Sequence, residues 1–160
     1  MTLLIVTRLI ALVSTGLIAG IFLGHRAGVS RASTRLHPGS FIQLQQIIHQ
    51  TFERMMPPLV LAAVLGTITW TVLLRAQRPL IGFWLLVPAS LGLLIAAGLT
   101  RAINIPINRQ LMTWSSEAPP AGFPQIWGRW ERVHSARTLL AVGAFLCQAV
   151  ALGVVTPGAP

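Results

Sequence analysis

RAINIPINRQLMTWSSEAPPAGFPQIWGRWERVHSAR, residues 101–137, is the one long polar interval in the sequence. It holds two of the three carboxylates, five of the twelve arginines and three of the five tryptophans. Because charged groups are costly inside a lipid bilayer, we expect this interval to cap one end of a bundle whose other residues lie in lipid.

The sequence on either side of this interval is strongly apolar. Of all residues, 54% are hydrophobic and only 9% are charged, whereas a soluble domain carries about a quarter charged residues. No charged side chain occurs in 55–74, 79–100 or 138–160, and residues 3–24 carry only Arg8. Each run is long enough to cross a bilayer as a helix.

These runs predict four spans in a single transmembrane domain over residues 1–160, at about 3–24, 57–76, 79–103 and 138–156. We expect the first run to be a span rather than a signal peptide, because seven mostly apolar residues precede Arg8. The predicted fold is all-α, an integral membrane four-helix bundle. An extra amphipathic helix lies in the first long loop, and a polar helical cap lies between spans 3 and 4.

The arginines predict an orientation and exclude one class of partner. Nine of them lie in the two long loops, against three at the other end. The positive-inside rule therefore places the long loops in the cytoplasm and both termini outside, and we expect a bacterial inner membrane. The arginines are scattered between apolar runs rather than gathered on one basic face, so no nucleic-acid partner is expected.

Three glycines four residues apart, Gly16, Gly20 and Gly24, share one face of the first predicted span. Small residues at this spacing allow a second helix to approach closely in lipid. The face predicts tight packing, either within the bundle or against a second copy or a partner membrane subunit.

The polar interval contains two sets of candidate site residues. Asn104 and Asn108 lie i, i+4 around Pro106, which removes a backbone hydrogen bond, so both amides can face one cavity or can satisfy the broken helix. The second set forms one stripe of a helix that runs into the fourth span: Trp127, Trp130, His134 and Arg137.

NIPINRQLMTW followed by WGRWERVHSART resembles the anthrone oxygenase-like family of small four-helix membrane proteins. That family typically shows Asn-x-Pro-x-Asn after its third span and Trp-x-x-Trp leading to Arg-Thr before its fourth. The matching positions here are Asn104, Pro106, Asn108, Trp127, Trp130, Arg137 and Thr138. The resemblance implies oxygenation of a small aromatic or phenolic, polyketide-like substrate with O2. His25 and the arginine-rich first loop match nothing in this pattern.

The residues suit two mechanisms. In the first, no cofactor is required. His134 or His49 removes a C–H proton from the substrate, and Asn104, Asn108 and Arg137 stabilise the anion, which then reacts with O2. The predicted substrate-binding set is Asn104, Asn108, Trp127, Trp130, Arg109 and Trp114.

In the second mechanism, His49, Glu53 and His134 bind a single metal ion, since imidazole and carboxylate together suit iron, copper or zinc. In both mechanisms the site lies at the long-loop end, with His49 and Glu53 opposite the Asn104–Asn108 segment. A third hypothesis is a non-catalytic accessory subunit, or a protein that binds a quinone or lipid without turnover. In that case the tryptophans anchor the chain at the membrane interface and the arginines set its topology.

Overall fold

The computed structural model describes residues 2–75 and 81–155. Seven α-helices run through this part of the chain: α1 (Thr2–Gly24), α2 (Ser30–Ser33), α3 (Pro38–Glu53), α4 (Met56–Leu73), α5 (Ile81–Leu99), α6 (Ile105–Leu111) and α7 (Phe123–Val155). One π-helical turn, His25–Val29, joins α1 to α2, and a second, Thr100–Asn104, joins α5 to α6. The predicted turn between the second and third spans, and the end of the fourth, lie largely outside the described residues.

Four helical segments are long and apolar enough to cross a membrane: Thr2–Ser33, Met56–Leu73, Ile81–Leu111 and Phe123–Val154. α1 packs against α4 and α7, and α5 packs against α4 and α7, so the four helices close into a ring. α3 is the additional helix of the first long loop. The prediction of an all-α integral membrane four-helix bundle is therefore confirmed.

Side-chain size separates the inside of the bundle from its lipid-facing surface. Large aliphatic residues such as Leu3, Leu61 and Leu139 are exposed on the outside, as expected where lipid replaces water. The interior instead contains many alanines, including Ala63 and Ala141 at 0% exposure. Small side chains let helices approach closely, which is the main source of helix association in lipid.

Helices α1 and α4 approach closely at Gly66, where an added Cβ would lie 3.1 Å from the backbone nitrogen of Ala11. Of the predicted glycine face, only Gly16 packs against another described helix, through Phe145 of α7. A Cβ at Gly20 or at Gly24 would meet no atom within 4 Å. The tight packing expected of the whole face is therefore found at one position only, and a partner for the other two stays a prediction.

Helix α1 ends at Gly24, as predicted, but the helical segment continues beyond it. The composition of His25–Gly39 predicts a loop, but the chain stays helical to Ser33 through the π-helical turn. Proline sets the next boundary at position 38, because the residue before a proline is pushed into extended backbone. His37 accordingly has φ −58° and ψ 144°, and its ring accepts a hydrogen bond from the backbone N–H of Gly39. His37 thus caps α3.

Helix α3 forms hydrogen bonds with the end of α6 and with the residues that follow it. The Gln46 side chain donates hydrogen bonds to the carbonyls of Leu111 and Trp114, both at 3.0 Å. A side chain at Gly39 would collide with the carbonyl of Ser116, so only glycine allows this approach. These contacts hold α3 at the long-loop end of the bundle.

Candidate functional site

Both π-helical turns lie at the long-loop end of the bundle, and each begins or ends at a candidate site residue. In the first, the N–H of Ser30 donates to the carbonyl of His25. In the second, the N–H of Ile105 donates to the carbonyl of Thr100. Pro106 follows directly, has no N–H and would clash with the carbonyl four residues earlier, which explains the wider turn there. Such bulges occur frequently at functional sites.

His134 and Arg137 form a buried pair on α7, at 2% and 7% exposure. The Nε and Nη2 atoms of Arg137 lie 3.2 and 3.1 Å from Nδ1 of His134. The third arm of the guanidinium, Nη1, donates to the Thr100 hydroxyl at 3.1 Å. Because arginine only donates hydrogen bonds, Nδ1 of His134 is the acceptor. In the neutral ring the proton therefore sits on Nε2.

Trp130 is fixed at two points by the two asparagines. Its indole N–H donates to Oδ1 of Asn108 at 2.7 Å, and its backbone carbonyl accepts from Nδ2 of Asn104 at 3.3 Å. Both asparagine amides therefore lie against α7, where each forms a hydrogen bond with Trp130. That the two amides face one substrate cavity stays a prediction.

The Trp130 ring stacks with two rings of the same helix. Trp127 stacks on one face with ring centroids 4.4 Å apart, and His134 stacks with centroids 4.8 Å apart. Edges of the Phe22 and His25 rings then meet His134 at 5.4 and 4.8 Å. The tryptophans thus act as a stack that fixes the plane of the His134 imidazole.

His25 is connected to the Glu131 carboxylate through the Ser30 hydroxyl, and we call these three side chains the relay. The Ser30 hydroxyl donates to Oε1 of Glu131 at 2.8 Å, and its oxygen lies 3.2 Å from Nδ1 of His25. A hydroxyl has one proton, so with Glu131 as acceptor the Ser30 oxygen accepts from His25. The proton of the neutral His25 ring is then on Nδ1, and its Nε2 carries the lone pair. His25 is half-buried, so the cluster meets the outside at this ring.

Three polar atoms near these rings are buried and lack a hydrogen-bond partner among the described residues: His134 Nε2, Asn104 Oδ1 and Gln45 Nε2. The Phe22 carbonyl faces the His134 ring and the Gln45 side chain faces the His25 ring, and each acts on that ring as a hydrogen-bonding group. Leaving a buried polar group unpaired costs about 1–3 kcal/mol. Three further buried atoms without a partner, Arg8 Nε, Trp70 Nε1 and Gln148 Oε1, lie elsewhere among the described residues.

The structure therefore brings together most of the residues that the sequence selected. Asn104, Asn108, Trp127, Trp130, His134 and Arg137 form one connected set of hydrogen bonds and ring contacts. Trp114 is buried in the same apolar cluster as Trp127, but it is linked to it through Phe123 and Phe41. Arg109 is exposed on α6.

His49 and Glu53 lie on α3, the first half-buried and the second exposed. Neither takes part in the described contacts of His134, which is buried on α7. Across residues 2–75 and 81–155, no three His, Cys, Asp or Glu side chains are grouped so that they could hold a metal ion. The predicted metal set of His49, Glu53 and His134 is thus not assembled, because α3 presents its carboxylate to the surface.

Sequence reasoning missed His25, Ser30, Glu131 and Gln45. Residues five apart, such as His25 and Ser30, lie roughly 140° apart around an α-helix and share no face. The π-helical turn brings them together, and helical periodicity cannot reveal it. One signal was available in the sequence. His25 lies in a polar stretch that matches nothing in the family pattern, and Ser30 comes five residues after it.

The match to a known family covers most of this cluster. The chain matches the family described as anthrone oxygenase over residues 45–147, which include Asn104, Trp130, His134 and Arg137 but not His25. Neither the curated proteins nor the solved structures compared with the chain give a match. Because the matched residues make up more than half of its length, the chain belongs to the anthrone oxygenase family.

Proposed function

We propose that the protein is a membrane-embedded oxygenase that converts the acidic methylene group of an anthrone-like aromatic substrate into a carbonyl with O2. The family supports the oxygenase class. The observation that carries the mechanism is that two histidine rings, 4.8 Å apart, have opposite hydrogen-bonding states. His25 presents a lone pair, and His134 presents an N–H.

His25 is the base in this proposal. Its Nδ1–H is bonded through Ser30 to Glu131, which leaves Nε2 to accept a proton. The carboxylate then stabilises the imidazolium that forms and holds the ring in one tautomer, as the acidic member of a catalytic triad does. The Gln45 amide can turn its N–H toward the neutral ring or its oxygen toward the charged one.

His134 is the anion-binding group rather than the base. Its Nδ1 already accepts from Arg137, and protonation of the ring would place two positive charges within hydrogen-bond distance. Its Nε2–H is a hydrogen-bond donor. The ring that carries it is held in place by stacking on Trp130 and by the two Arg137 nitrogens that contact Nδ1. A preorganised donor beside a buried cation is suited to an oxygen on which negative charge develops.

The proposed reaction balances without a further reductant. His25 takes one proton from the methylene carbon, and the resulting enolate oxygen is held by His134 and Arg137. The carbanion passes electrons to O2, a C–O bond forms, and the resulting peroxide anion takes back the proton that His25 removed. Loss of the second methylene proton and cleavage of the O–O bond leave a carbonyl and water. The methylene carbon is oxidised by four electrons, and both atoms of O2 are reduced.

Oxygen-isotope labelling tests this function. The purified protein in lipid nanodiscs would be given 1,8-dihydroxyanthrone under ¹⁸O₂. We expect oxygen uptake well above the spontaneous rate, with one ¹⁸O atom in the new quinone carbonyl and the other in water. Tight binding of the anthrone or quinone with no acceleration of oxygen uptake would contradict the proposal and favour a non-catalytic binding protein.

A further inference from the structure

A small apolar cavity lies between the four spanning helices, toward the long-loop end of the bundle. Its volume is about 20 Å³, and its walls include Phe22 of α1, Ala63 of α4, Ala96 of α5 and Ala141 of α7. Of the ten residues that line it, only Thr100 is polar. All four spanning segments contribute to it, so it is a feature of the bundle rather than of one loop.

The cavity is separated from the candidate site by a single layer of side chains. Phe22 lines the cavity, and its ring lies 4.6 Å from the Arg137 guanidinium carbon and 5.4 Å from the His134 ring centre. Thr100 also lines it and accepts a hydrogen bond from Nη1 of Arg137. A molecule in this space would therefore need to pass only these two side chains to reach the group that binds the anion.

The size and lining of the cavity indicate which kind of molecule it can bind. A volume of about 20 Å³ admits roughly one very small molecule, since one water needs about 10–15 Å³ on the same scale. A three-ring aromatic substrate is far too large. Water is disfavoured, because it needs two to four polar partners and apolar cavities stay dry. A small apolar molecule remains.

One side of the cavity is close to the lipid bilayer, in which small apolar molecules dissolve. Val60, Val64 and Ala97, on the α4 and α5 sides of the cavity, are half-buried rather than buried. They lie within segments that are apolar enough to span a membrane. O2 is apolar and dissolves better in hydrocarbon than in water, so the lipid beside α4 and α5 would supply it.

We propose that this cavity is an O2 site that is filled from the bilayer and delivers O2 to the carbanion beside Arg137. This inference rests on the proposed oxygenase function and adds a binding site to it. The alanines at positions 63, 96 and 141 create the space, because a larger aliphatic side chain at any of them would occupy it.

The test fills the cavity with Ala96→Leu, and with Ala63→Val as a milder variant should the larger one fail to fold. Ala149→Leu, at an exposed position on α7, is the matched control. We expect both cavity variants to raise the KM for O2 at least several-fold and to leave the KM for the anthrone unchanged. The control should change neither. An unchanged KM for O2 in a folded cavity variant overturns the proposal.

Xenon gives a readout that does not depend on turnover, because apolar cavities bind it. ¹²⁹Xe NMR of the full chain in nanodiscs should show saturable xenon binding in the wild type and in Ala149→Leu, and its loss in Ala96→Leu. Xenon binding that persists in Ala96→Leu, or is missing from the wild type, contradicts a gas site here. A protein that binds xenon in this way but shows no oxygenase activity would overturn the proposed function instead.

Discussion

Two polar clusters lie within the same four-helix bundle, and they differ in their chemistry and in the helices that hold them. One, the mid-bundle node, consists of Thr15, Thr67 and Gln148, all at 0% exposure. The Gln148 amide donates to both hydroxyls, at 3.1 and 2.8 Å. The other is the site cluster around His25, His134 and Arg137 at the long-loop end.

The node contains only groups that do not titrate, on regular α-helix, and its two amide hydrogens are used. Interhelical hydrogen bonds of this kind join helices in lipid. The site cluster contains two imidazoles and a guanidinium, lies against two π-helical turns, and leaves three polar atoms unpaired. Gln148 Oε1 in the node is also buried without a hydrogen-bond partner. Burial and unpaired polar atoms are therefore common to both clusters, and what distinguishes the site is titratable groups beside irregular helix.

The largest effect is expected from His25→Gln. Removing the base should lower kcat by about 10²–10⁴-fold, the usual contribution of general base catalysis. The KM for the anthrone should change little, because His25 acts on one C–H bond. Steady-state oxygen uptake measures both values, and a melting curve within a few degrees of the wild type would show that the variant is folded. Full activity in a folded variant would exclude His25 as the base.

Two substitutions of His134 show whether it donates a hydrogen bond to the substrate anion or removes the substrate proton. His134→Phe keeps the ring stack but removes the N–H, so we expect kcat to fall by about 10²–10³-fold, as for loss of one anion-hole donor. His134→Gln restores an N–H donor and should recover much of this loss. If both variants are equally inactive, His134 is the proton acceptor and the assignment of the two histidines must be exchanged.

A smaller loss is expected from the relay. Ser30→Ala breaks the link between His25 and Glu131, and a hydrogen bond to a charged group contributes about 1.5–3 kcal/mol. We therefore expect kcat to fall by about ten- to a hundredfold with an unchanged KM. Ser30→Thr keeps the hydroxyl and should retain most of the activity. Equal activity of Ser30→Ala and the wild type would show that Ser30 does not position His25.

The smallest effect is expected in the node. Gln148→Leu removes two hydrogen bonds that are worth about 0.6 kcal/mol each on average in membrane helices. The free energy of unfolding should fall by only about 1 kcal/mol, and kcat should stay unchanged. Reversible unfolding in mixed micelles, followed by circular dichroism, measures the first quantity. A large loss of kcat in this variant would mean that the node is part of the site.

The same contrast explains what the sequence could predict. The spans follow from runs without charge, and the site helix follows from the 3, 4, 3 spacing of Trp127, Trp130, His134 and Arg137. All four are buried on α7. Asn104 and Asn108 were identified because an i, i+4 amide pair around a proline is unusual in an apolar segment. Each of these features is regular in sequence.

The missed features depend on departures from regularity or on distant contacts. His25 meets Ser30 only because a π-helical turn replaces an α-turn, and Ser30 meets Glu131 across 101 positions of sequence. The stripe of Gly16, Gly20 and Gly24 is regular, yet only Gly16 packs against another described helix, while α1 and α4 approach closely at Gly66 and Ala11. Which small residues meet depends on how the helices cross, and a single sequence does not contain that information.

The most direct test of the account is proton exchange without oxygen. In D₂O under argon, the wild type should exchange the methylene protons of 1,8-dihydroxyanthrone for deuterium well above the rate in buffer, as followed by NMR. His25→Gln should show only the buffer rate, while His134→Gln and Ala96→Leu should still exchange. Exchange at the wild-type rate in His25→Gln, together with its loss in His134→Gln, would contradict the central claim that His25 removes the proton and His134 binds the anion.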